Sequence, residues 1–303
     1  MSSPGAPTSA PLHAALRLDP TDAGGDDLAF LATTQDCPWP KAYGGDMVAQ
    51  GLAALMRSVS DGKTLHSTHG YFLRPVDIGA AVRYEVEVLR DGRGYSARQV
   101  RALQNGKLAF TALASFTTGG DSGSYALDPP PGLPGPEDLP SSAAYLADRT
   151  GGTMTDRSRA YWAEGRSFDM RHVPGPVYLT IDGDRTPHQA VWVRPFSPLQ
   201  PVDGLTDGQR DLAALAYACD YTILEPLLRS LGLPWAMPGL TTASLDHAMW
   251  FHRTPPAGLS DWLLYTQQAL AADAARGTAT GQFFTRDHVH VATVVQEGVL
   301  RAS

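Results

Sequence analysis

The chain has 303 residues, 43% of them hydrophobic, which is enough for one large domain or two ordinary ones with a buried core. Its formal net charge of −7 argues against nucleic acid or anionic membrane as general partners, because the overall field repels polyanions. The two cysteines, Cys37 and Cys219, lack CxxC spacing, which excludes a thiolate zinc site and a disulfide framework and leaves only a single bridge open.

The N-terminal segment is rich in Pro and Ser and has neither the basic nor the apolar region of a signal peptide. We therefore expect a disordered tail over residues 1–25. No apolar run along the sequence approaches the length of a membrane span, so we expect no insertion into a membrane. The chain ends in Arg301-Ala302-Ser303, which is not a peroxisomal tripeptide, and a cytoplasmic location is predicted.

Residues 26–118 read as a helix followed by an antiparallel meander. Apolar residues recur at helical spacing from Val48 to Val59, directly after Gly44 and Gly45. Four strand-like segments follow, and the dipeptide Asn105-Gly106 between the last two favours a type I′ hairpin. Residues 119–165, whose first part is dense in Gly, Pro and Ser, are predicted to be a linker and an irregular segment with one helical patch.

Residues 166–303 repeat the order of the first half, a helical region and then strands. The Phe-Leu-Arg of 72–74 matches the Phe-His-Arg of 251–253, and the Ala-Arg of 97–98 matches that of 275–276. Two units of the same order indicate a duplication and one compact pseudo-dimer. A long helix before a curled antiparallel sheet favours an α+β architecture, the double hot-dog fold.

Several blocks of the sequence resemble the acyl-CoA thioesterase II family, the double hot-dog thioesterases of bacteria and peroxisomes. The blocks are YGGDMVAQGLAAL, LHSTHGYFLRP, EVLRDGRGYSARQVRALQNGKLAFTALASF, SLDHAMWFHR and FFTRDHVHVATVVQEGVLR. They run in family order from about Tyr43 to Phe116 and from about Phe168 to Arg301. The resemblance implies an enzyme of lipid metabolism that hydrolyses fatty acyl-CoA to free fatty acid and CoA, with no cofactor and no metal.

The resemblance also implies a catalytic trio of Asp, Thr or Ser, and Gln, which falls on Asp220, Ser244 and Gln296. An ionised Asp220 can accept a proton from a water molecule that attacks the thioester carbonyl. The Gln296 amide both donates and accepts and can orient that water, while Ser244 completes its hydrogen bonds. Each residue also has a structural interpretation: Asp220 as a helix N-cap, Ser244 on an edge strand, and Gln296 bonded to backbone at a sheet end.

The sequence offers further candidates besides this trio. Gly44 and Gly45 let a ligand approach the backbone N–H groups of a helix start, which can stabilise the oxyanion, or they only permit tight packing. Arginine forks bind phosphate well, and the candidates for the CoA phosphates are Arg74, Arg98, Arg253 and Arg276. The alternative for these arginines is a structural role as salt-bridged residues of the sheet.

Two histidine-containing segments offer rival sites. Asp246 and His247 are neighbours on one predicted strand and point to opposite faces, so we interpret at least one of them as structural. His288 and His290 are expected on one strand face, but two ligands without a third are a thin metal site, and exposed histidines on an edge strand are favoured.

Two other functions compete with hydrolysis. A hot-dog hydratase or dehydratase presents a His–Asp dyad beside the central helix, where this sequence offers Asp220 but no histidine nearby. A non-catalytic acyl-CoA-binding protein keeps the fold without turnover. Sheet edges left by two fused repeats predict a homo-oligomer that takes acyl-CoA as its substrate.

Overall fold

The computed structural model describes residues 6–22, 28–59, 62–121, 123–149, 153–255 and 258–302. The first half contains α1 (Ala10–Ala15), β1 (Asp19–Thr21), β2 (Leu28–Thr33), α2 (Gly44–Arg57), β3 (Thr64–Phe72), β4 (Ala81–Asp91), β5 (Tyr95–Gln104) and β6 (Lys107–Thr117). The connecting segment contains a 3₁₀ turn (Pro136–Asp138), α3 (Ser142–Ala147), α4 (Asp156–Ala160) and a π-helical turn (Tyr161–Gly165). The second half contains β7 (Phe168–Val173), β8 (His188–Pro195), α5 (Asp207–Cys219), α6 (Glu225–Leu231), β9 (Thr241–Ser244), β10 (Asp246–Phe251), β11 (Leu263–Asp273), β12 (Arg276–Thr285) and β13 (His290–Arg301).

The strands of the described residues form one antiparallel sheet in the order β1-β2-β4-β5-β6-β3-β10-β13-β12-β11-β8-β7, and β9 pairs with β13 beside β10. The two halves meet where β3 pairs with β10, and His69 lies opposite Ala248. Each of these two residues has its outer partner on the last strand of its own half, Leu113 for His69 and Val295 for Ala248. The halves are therefore related by a pseudo-twofold axis, and the predicted α+β double hot-dog fold is confirmed.

The core lies between the sheet and two long helices that pack against each other, α2 and α5. All residues of α2 from Gly45 to Met56 are buried, since one side meets the sheet and the other meets α5. A capping box at Thr206 starts α5: its hydroxyl accepts from the Gln209 N–H, and the Gln209 side chain accepts from the Thr206 N–H. No helix in the described segments is long and apolar enough to cross a membrane.

The hairpin between β5 and β6 forms as predicted. Asn105 and Gly106 both have positive φ, 51° and 71°, which is what a type I′ turn requires. Strand β2, which precedes α2 and pairs with β4, was not predicted. Each half therefore begins with strands, since β7 and β8 precede α5 in the second half.

The N-terminal segment differs from its prediction. Within residues 1–25, the described part forms α1 and β1, and Leu12 and Leu16 next to α1 are fully buried. The Leu12 N–H donates to Oγ of Ser167, just before β7. A disordered tail is therefore wrong for this part, because two leucines on one face anchor it; residues 1–5 and 23–25 lie outside the described residues.

The segment between the halves is also more regular than predicted. Within residues 119–165, α3, α4 and two turns form, and Tyr145, Leu146 and Trp162 pack with Tyr178 in a small buried cluster. Residues 122 and 150–152 of this segment lie outside the described residues. The segment packs because its aromatic side chains form this cluster. The high Gly and Pro content of its first part had instead indicated a linker.

The histidines near the C-terminus do not share a strand face. His288 is exposed and has a positive φ of 61° in the turn before β13, whereas His290 is the first residue of the strand and is buried. The expectation of exposed histidines on an edge strand is therefore wrong for His290, since β13 pairs on both sides, with β12 and β10. Among the described residues, no cluster of three or more His, Cys, Asp or Glu side chains could hold a metal ion.

Candidate active site

Asp220 lies at the end of a helix rather than at its start. Helix α5 ends at Cys219, Asp220 is its C-cap with helical φ and ψ, and the N-cap of α6 is Leu224. The N-cap interpretation of Asp220 is therefore wrong. The break in the helical run places the Asp220 carboxylate at the tip of α5, beside the end of the sheet.

Ser244 and Gln296 come from two strands that pair with each other. Ser244 is the last residue of β9 and lies opposite Gly298 of β13. Gln296 is two residues earlier in β13, and its side chain is completely buried. It lies inside the strand and not at a sheet end. A side chain at Gly298 would lie 2.6 Å from Leu224, so the glycine lets the loop after α5 approach the sheet.

The three predicted side chains meet in one hydrogen-bonded triangle. The Ser244 hydroxyl donates to Oδ1 of Asp220 over 3.0 Å. Nε2 of Gln296 donates to the same Oδ1 over 2.7 Å and to Oγ of Ser244 over 2.9 Å. Asp220 and Ser244 are half-buried, so the triangle borders solvent while the amide is held inside.

The other carboxylate oxygen of Asp220 faces the first turn of α2. A side chain at Gly44 would lie 2.6 Å from Oδ2 of Asp220 and 3.3 Å from the Phe72 ring. Only glycine leaves room for this contact. The first backbone N–H groups of a helix have no acceptor one turn earlier in the helix, so the start of α2 brings donors of this kind next to Asp220.

Gly45 has a different role from Gly44. A side chain there would lie 2.3 Å from the Tyr43 ring and 2.7 Å from the Tyr217 carbonyl oxygen, which is backbone of α5. Close packing of α2 on α5 therefore requires this glycine. Tyr43 strengthens the same contact, because its hydroxyl donates to the Tyr217 carbonyl over 2.6 Å and its ring stacks on Tyr221 at 4.2 Å.

A buried carboxyl lies in the same turn of α2. Asp46 is fully buried, and its Oδ2 accepts the Gln35 N–H over 2.9 Å. Burial raises the pKa of Asp46 to about 7; the Gln35 hydrogen bond opposes this rise, and the negative charge of Asp220 adds to it. Asp46 was not predicted as a site residue, since an acidic residue in a first helical turn is common.

His247 belongs to the site, although the sequence analysis placed no histidine near Asp220. Its Nδ1 lies 2.8 Å from Oε1 of Gln296, and its Nε2 lies 3.8 Å from Sγ of Cys219. That expectation is therefore wrong. His247 alternates with Met249 and Phe251 on the buried face of β10, a pattern that predicts a buried histidine.

Asp246, the other half of the rival pair, stabilises the backbone. Its Oδ1 accepts the N–H of Glu297 over 2.7 Å. The two neighbours thus point to opposite faces of the sheet, as predicted. The two residues do not form a dyad that faces a substrate, because the His247 ring is 2% exposed and Asp246 bonds to β13.

The first half carries no second copy of the trio. The residue after α2 is Ser58, and the pseudo-twofold axis places Leu65 and Ala114 where the second half has Ser244 and Gln296. Nε of Arg98 donates to Oγ of Ser58 over 3.2 Å, so an arginine bonds the residue that is equivalent to Asp220.

The predicted phosphate-binding arginines do not gather around the trio. Arg98 is 3% exposed and pairs with Asp91 at 2.7 Å, so its assignment to the CoA phosphates is wrong. Arg276 pairs with Glu297, Arg74 donates to a carbonyl of its own half, and Arg253 is exposed. The strands pair Arg98 with Ala114 and Ala279 with Gln296, so the equivalent of Arg98 is Ala279 and not Arg276.

Known proteins resemble this chain over nearly its whole length. It is 31% identical over 287 residues to "Acyl-CoA thioesterase 2" of Haemophilus influenzae, with 92% of this chain and 94% of that protein covered. It is 32% identical over 296 residues to "Acyl-coenzyme A thioesterase 8" of Homo sapiens, with 94% and 87% covered.

Solved structures agree with these relatives. An acyl-CoA thioesterase II of Mycobacterium marinum superposes with a TM-score of 0.74 at 30% identity, over 96% of this chain and 98% of that one. A hot-dog protein of unknown function from Alicyclobacillus acidocaldarius has a TM-score of 0.73 at 19% identity, over 96% and 98%, and shows the fold alone. The family models of the acyl-CoA thioesterase N-terminal and C-terminal domains match residues 35–117 and 136–300. The chain belongs to the acyl-CoA thioesterase family.

Proposed function

We propose that this chain hydrolyses fatty acyl-CoA to the free fatty acid and CoA, and that Asp220, Ser244 and Gln296 activate the attacking water. The observation that carries the proposal is the triangle of carboxylate, hydroxyl and amide beside the start of α2. Membership of the acyl-CoA thioesterase family supplies the substrate class.

The two oxygens of Asp220 have separate tasks in this proposal. Oδ1 accepts from Ser244 and Gln296, and these bonds fix the carboxylate. Oδ2, on the side of Gly44, accepts the proton of the water as its oxygen attacks the thioester carbonyl carbon. The carbon–sulfur bond then breaks, and the proton passes to the CoA sulfur.

The first turn of α2 stabilises the charge that develops on the carbonyl oxygen. Backbone N–H groups at Gly44 and Gly45 point out of the helix start, and one such donor is typically worth about 3 kcal/mol in the transition state. Gly44 is directly beside Asp220, so these donors and the base lie close to each other, which supports the proposal. Gly45 also has its packing role against α5.

The test is steady-state release of CoA from a series of acyl-CoA chain lengths. We expect Asp220→Asn to lower kcat by about 10²- to 10⁴-fold, the usual contribution of a general base. The control is Asp77→Asn, which removes an exposed carboxylate paired with Lys41. Equal rates for wild type and Asp220→Asn would contradict the proposal.

Ser244→Ala separates a water mechanism from an acyl-serine mechanism. Removal of one supporting hydrogen bond is expected to lower kcat about 10-fold, far less than the loss of the base. A loss as large as that of Asp220→Asn, together with a burst of CoA release in the wild type, would indicate that the serine attacks the thioester.

Three finer assignments are proposed with the activity. Arg74, Arg253 and Arg276, which are exposed, stay the candidates for a contact with the CoA phosphates. The protein works in lipid metabolism in the cytoplasm, which suits two free, buried cysteines. The protein forms a homo-oligomer through the open face of the sheet, where Tyr71 and Leu113 are 61% and 50% exposed. Light scattering in solution measures the mass of the oligomer.

A further inference from the structure

The Gln296 amide has two ends, and the site works only with one of them facing Asp220. The nitrogen end donates to the carboxylate, whereas the oxygen end would bring two acceptors together. Ser244 does not decide the orientation, because a hydroxyl both donates and accepts. The carboxylate thus favours this orientation from one end of the amide, and a donor at Oε1 can fix it from the other end.

Within the described part of the chain, the side chain that meets Oε1 of Gln296 is that of His247. Its Nδ1 lies 2.8 Å from that oxygen, within hydrogen-bond distance. The amide oxygen only accepts, so Nδ1 must carry a proton for this contact to be favourable. A protonated Nδ1 accepts nothing, which excludes the flipped amide, whose N–H groups would meet another N–H.

The far side of the ring meets a thiol. Nε2 faces Sγ of Cys219 at 3.8 Å, and that thiol donates to the Ala216 carbonyl oxygen over 3.1 Å. Burial lowers the pKa of His247, although the Gln296 hydrogen bond and the charges of Asp220 and Asp246 oppose this. The ring is 2% exposed, so it does not meet the substrate.

We propose that His247 is a positioning residue of the proposed hydrolysis: its Nδ1–H holds Oε1 of Gln296 and thereby turns the amide nitrogen toward Asp220 and Ser244. The inference rests on the proposed function for its catalytic consequence. The contact itself does not depend on that function. Asp246, next in the chain, supports the arrangement by bonding the N–H of Glu297, next to Gln296.

The variants are His247→Leu, which removes the donor, and His247→Asn, whose amide nitrogen can take the place of Nδ1. We expect His247→Leu to lower kcat by about 10- to 100-fold, as is usual when an orienting hydrogen bond is removed. KM should change by less than about twofold, because the ring does not contact substrate. His247→Asn should recover at least about 10-fold of the lost kcat.

His290→Leu is the matched control, since it removes a second buried imidazole that bonds Ala292 and Thr293 on the same sheet. It should lower stability and leave kcat in place. Equal loss of kcat in His247→Leu and His247→Asn, or no loss in His247→Leu, would overturn the proposal.

A measurement without activity separates this inference from the proposed function. The ¹⁵N shifts of the imidazoles in the wild-type protein report which nitrogen carries the proton, and the His247 signals are those absent in His247→Asn. We expect Nδ1 of His247 to carry a proton. A ring protonated at Nε2 alone would overturn the inference even in an active thioesterase, and an inactive wild type would overturn only the function.

Discussion

Gln296 shows how a single buried amide is determined from both ends. Its nitrogen meets a carboxylate and a hydroxyl, and its oxygen meets an imidazole. A buried amide with all these partners is rigid, because any rotation leaves a polar group without a hydrogen bond, at a cost of about 1–3 kcal/mol. The site is therefore organised before the substrate arrives.

Asp46 makes stability depend on pH. Its pKa of about 7 exceeds that of an unfolded aspartate, so the unfolded chain loses this proton first as pH rises and stability falls from about pH 4 to pH 7. Asp46→Asn removes the charge. We expect it to gain about 4 kcal/mol over wild type between pH 4 and pH 8, measured by urea unfolding at both pH values. The same difference at both pH values would contradict this.

Residue types and residue contacts differ in how far sequence predicts them. Asp220, Ser244 and Gln296 followed from family blocks, and the structure brings them together. His247 and Asp46 were missed as site residues, because a buried histidine on a strand and an acid in a first helical turn are ordinary features of a sequence. Their importance comes from neighbours that are distant along the chain.

At the scale of elements, the start of α2 meets the end of α5. The meeting requires two glycines for two reasons: Gly44 leaves space for the Asp220 carboxylate, and Gly45 leaves space for α5 backbone. The sequence predicted a helix start here and left its purpose open between oxyanion binding and packing. The sequence could not assign different roles to Gly44 and Gly45, because these roles depend on how α2 crosses α5.

Gly44→Ala should reduce activity more than stability. The added methyl group lies 2.6 Å from Oδ2 of Asp220, the end of a side chain that can move aside, so the fold survives while the base is displaced. We expect kcat to fall about 100-fold, as for a 1 Å misplacement of a reacting group.

The control for this variant is Gly51→Ala in the same helix. Its nearest atoms, of Phe110 and Val100, are 3.4 Å away, and alanine in a helix interior is favoured by about 0.5–1 kcal/mol. Thermal melts and kinetics of both variants make the comparison. A Gly44→Ala variant with the kcat of the wild type would contradict the prediction that the methyl group displaces the Asp220 carboxylate.

The succession of the long helices and strands along the chain was predictable, because hydrophobic periodicity is a local property of the sequence. Strand β2 and helix α1 were missed, since each is short and its partner lies elsewhere in the chain: β4 for β2, and Ser167 for Leu12 of α1. Short elements are stabilised by tertiary contacts more than by their own sequence.

At the scale of the whole molecule, α1 joins the two halves. It contacts α2 and β2 of the first half, while the Ser9 hydroxyl donates to the Ser167 carbonyl of the second. Leu12→Ala should destabilise the protein by about 2–5 kcal/mol, the usual cost of emptying a fully buried leucine site. Urea unfolding measures this. Leu270→Ala, at a side chain 54% exposed, is the control, and an equal effect of the two would indicate a detached segment.

The meeting of Gly44 with Asp220 divides the proposed site between the two halves of the chain. The three groups of the proposed trio lie in the C-terminal half, while the helix start that faces them lies in the N-terminal half. The equivalent positions of the first half hold Ser58, Leu65 and Ala114, which cannot supply a second trio. Under the proposed function, neither half expressed alone would be an enzyme.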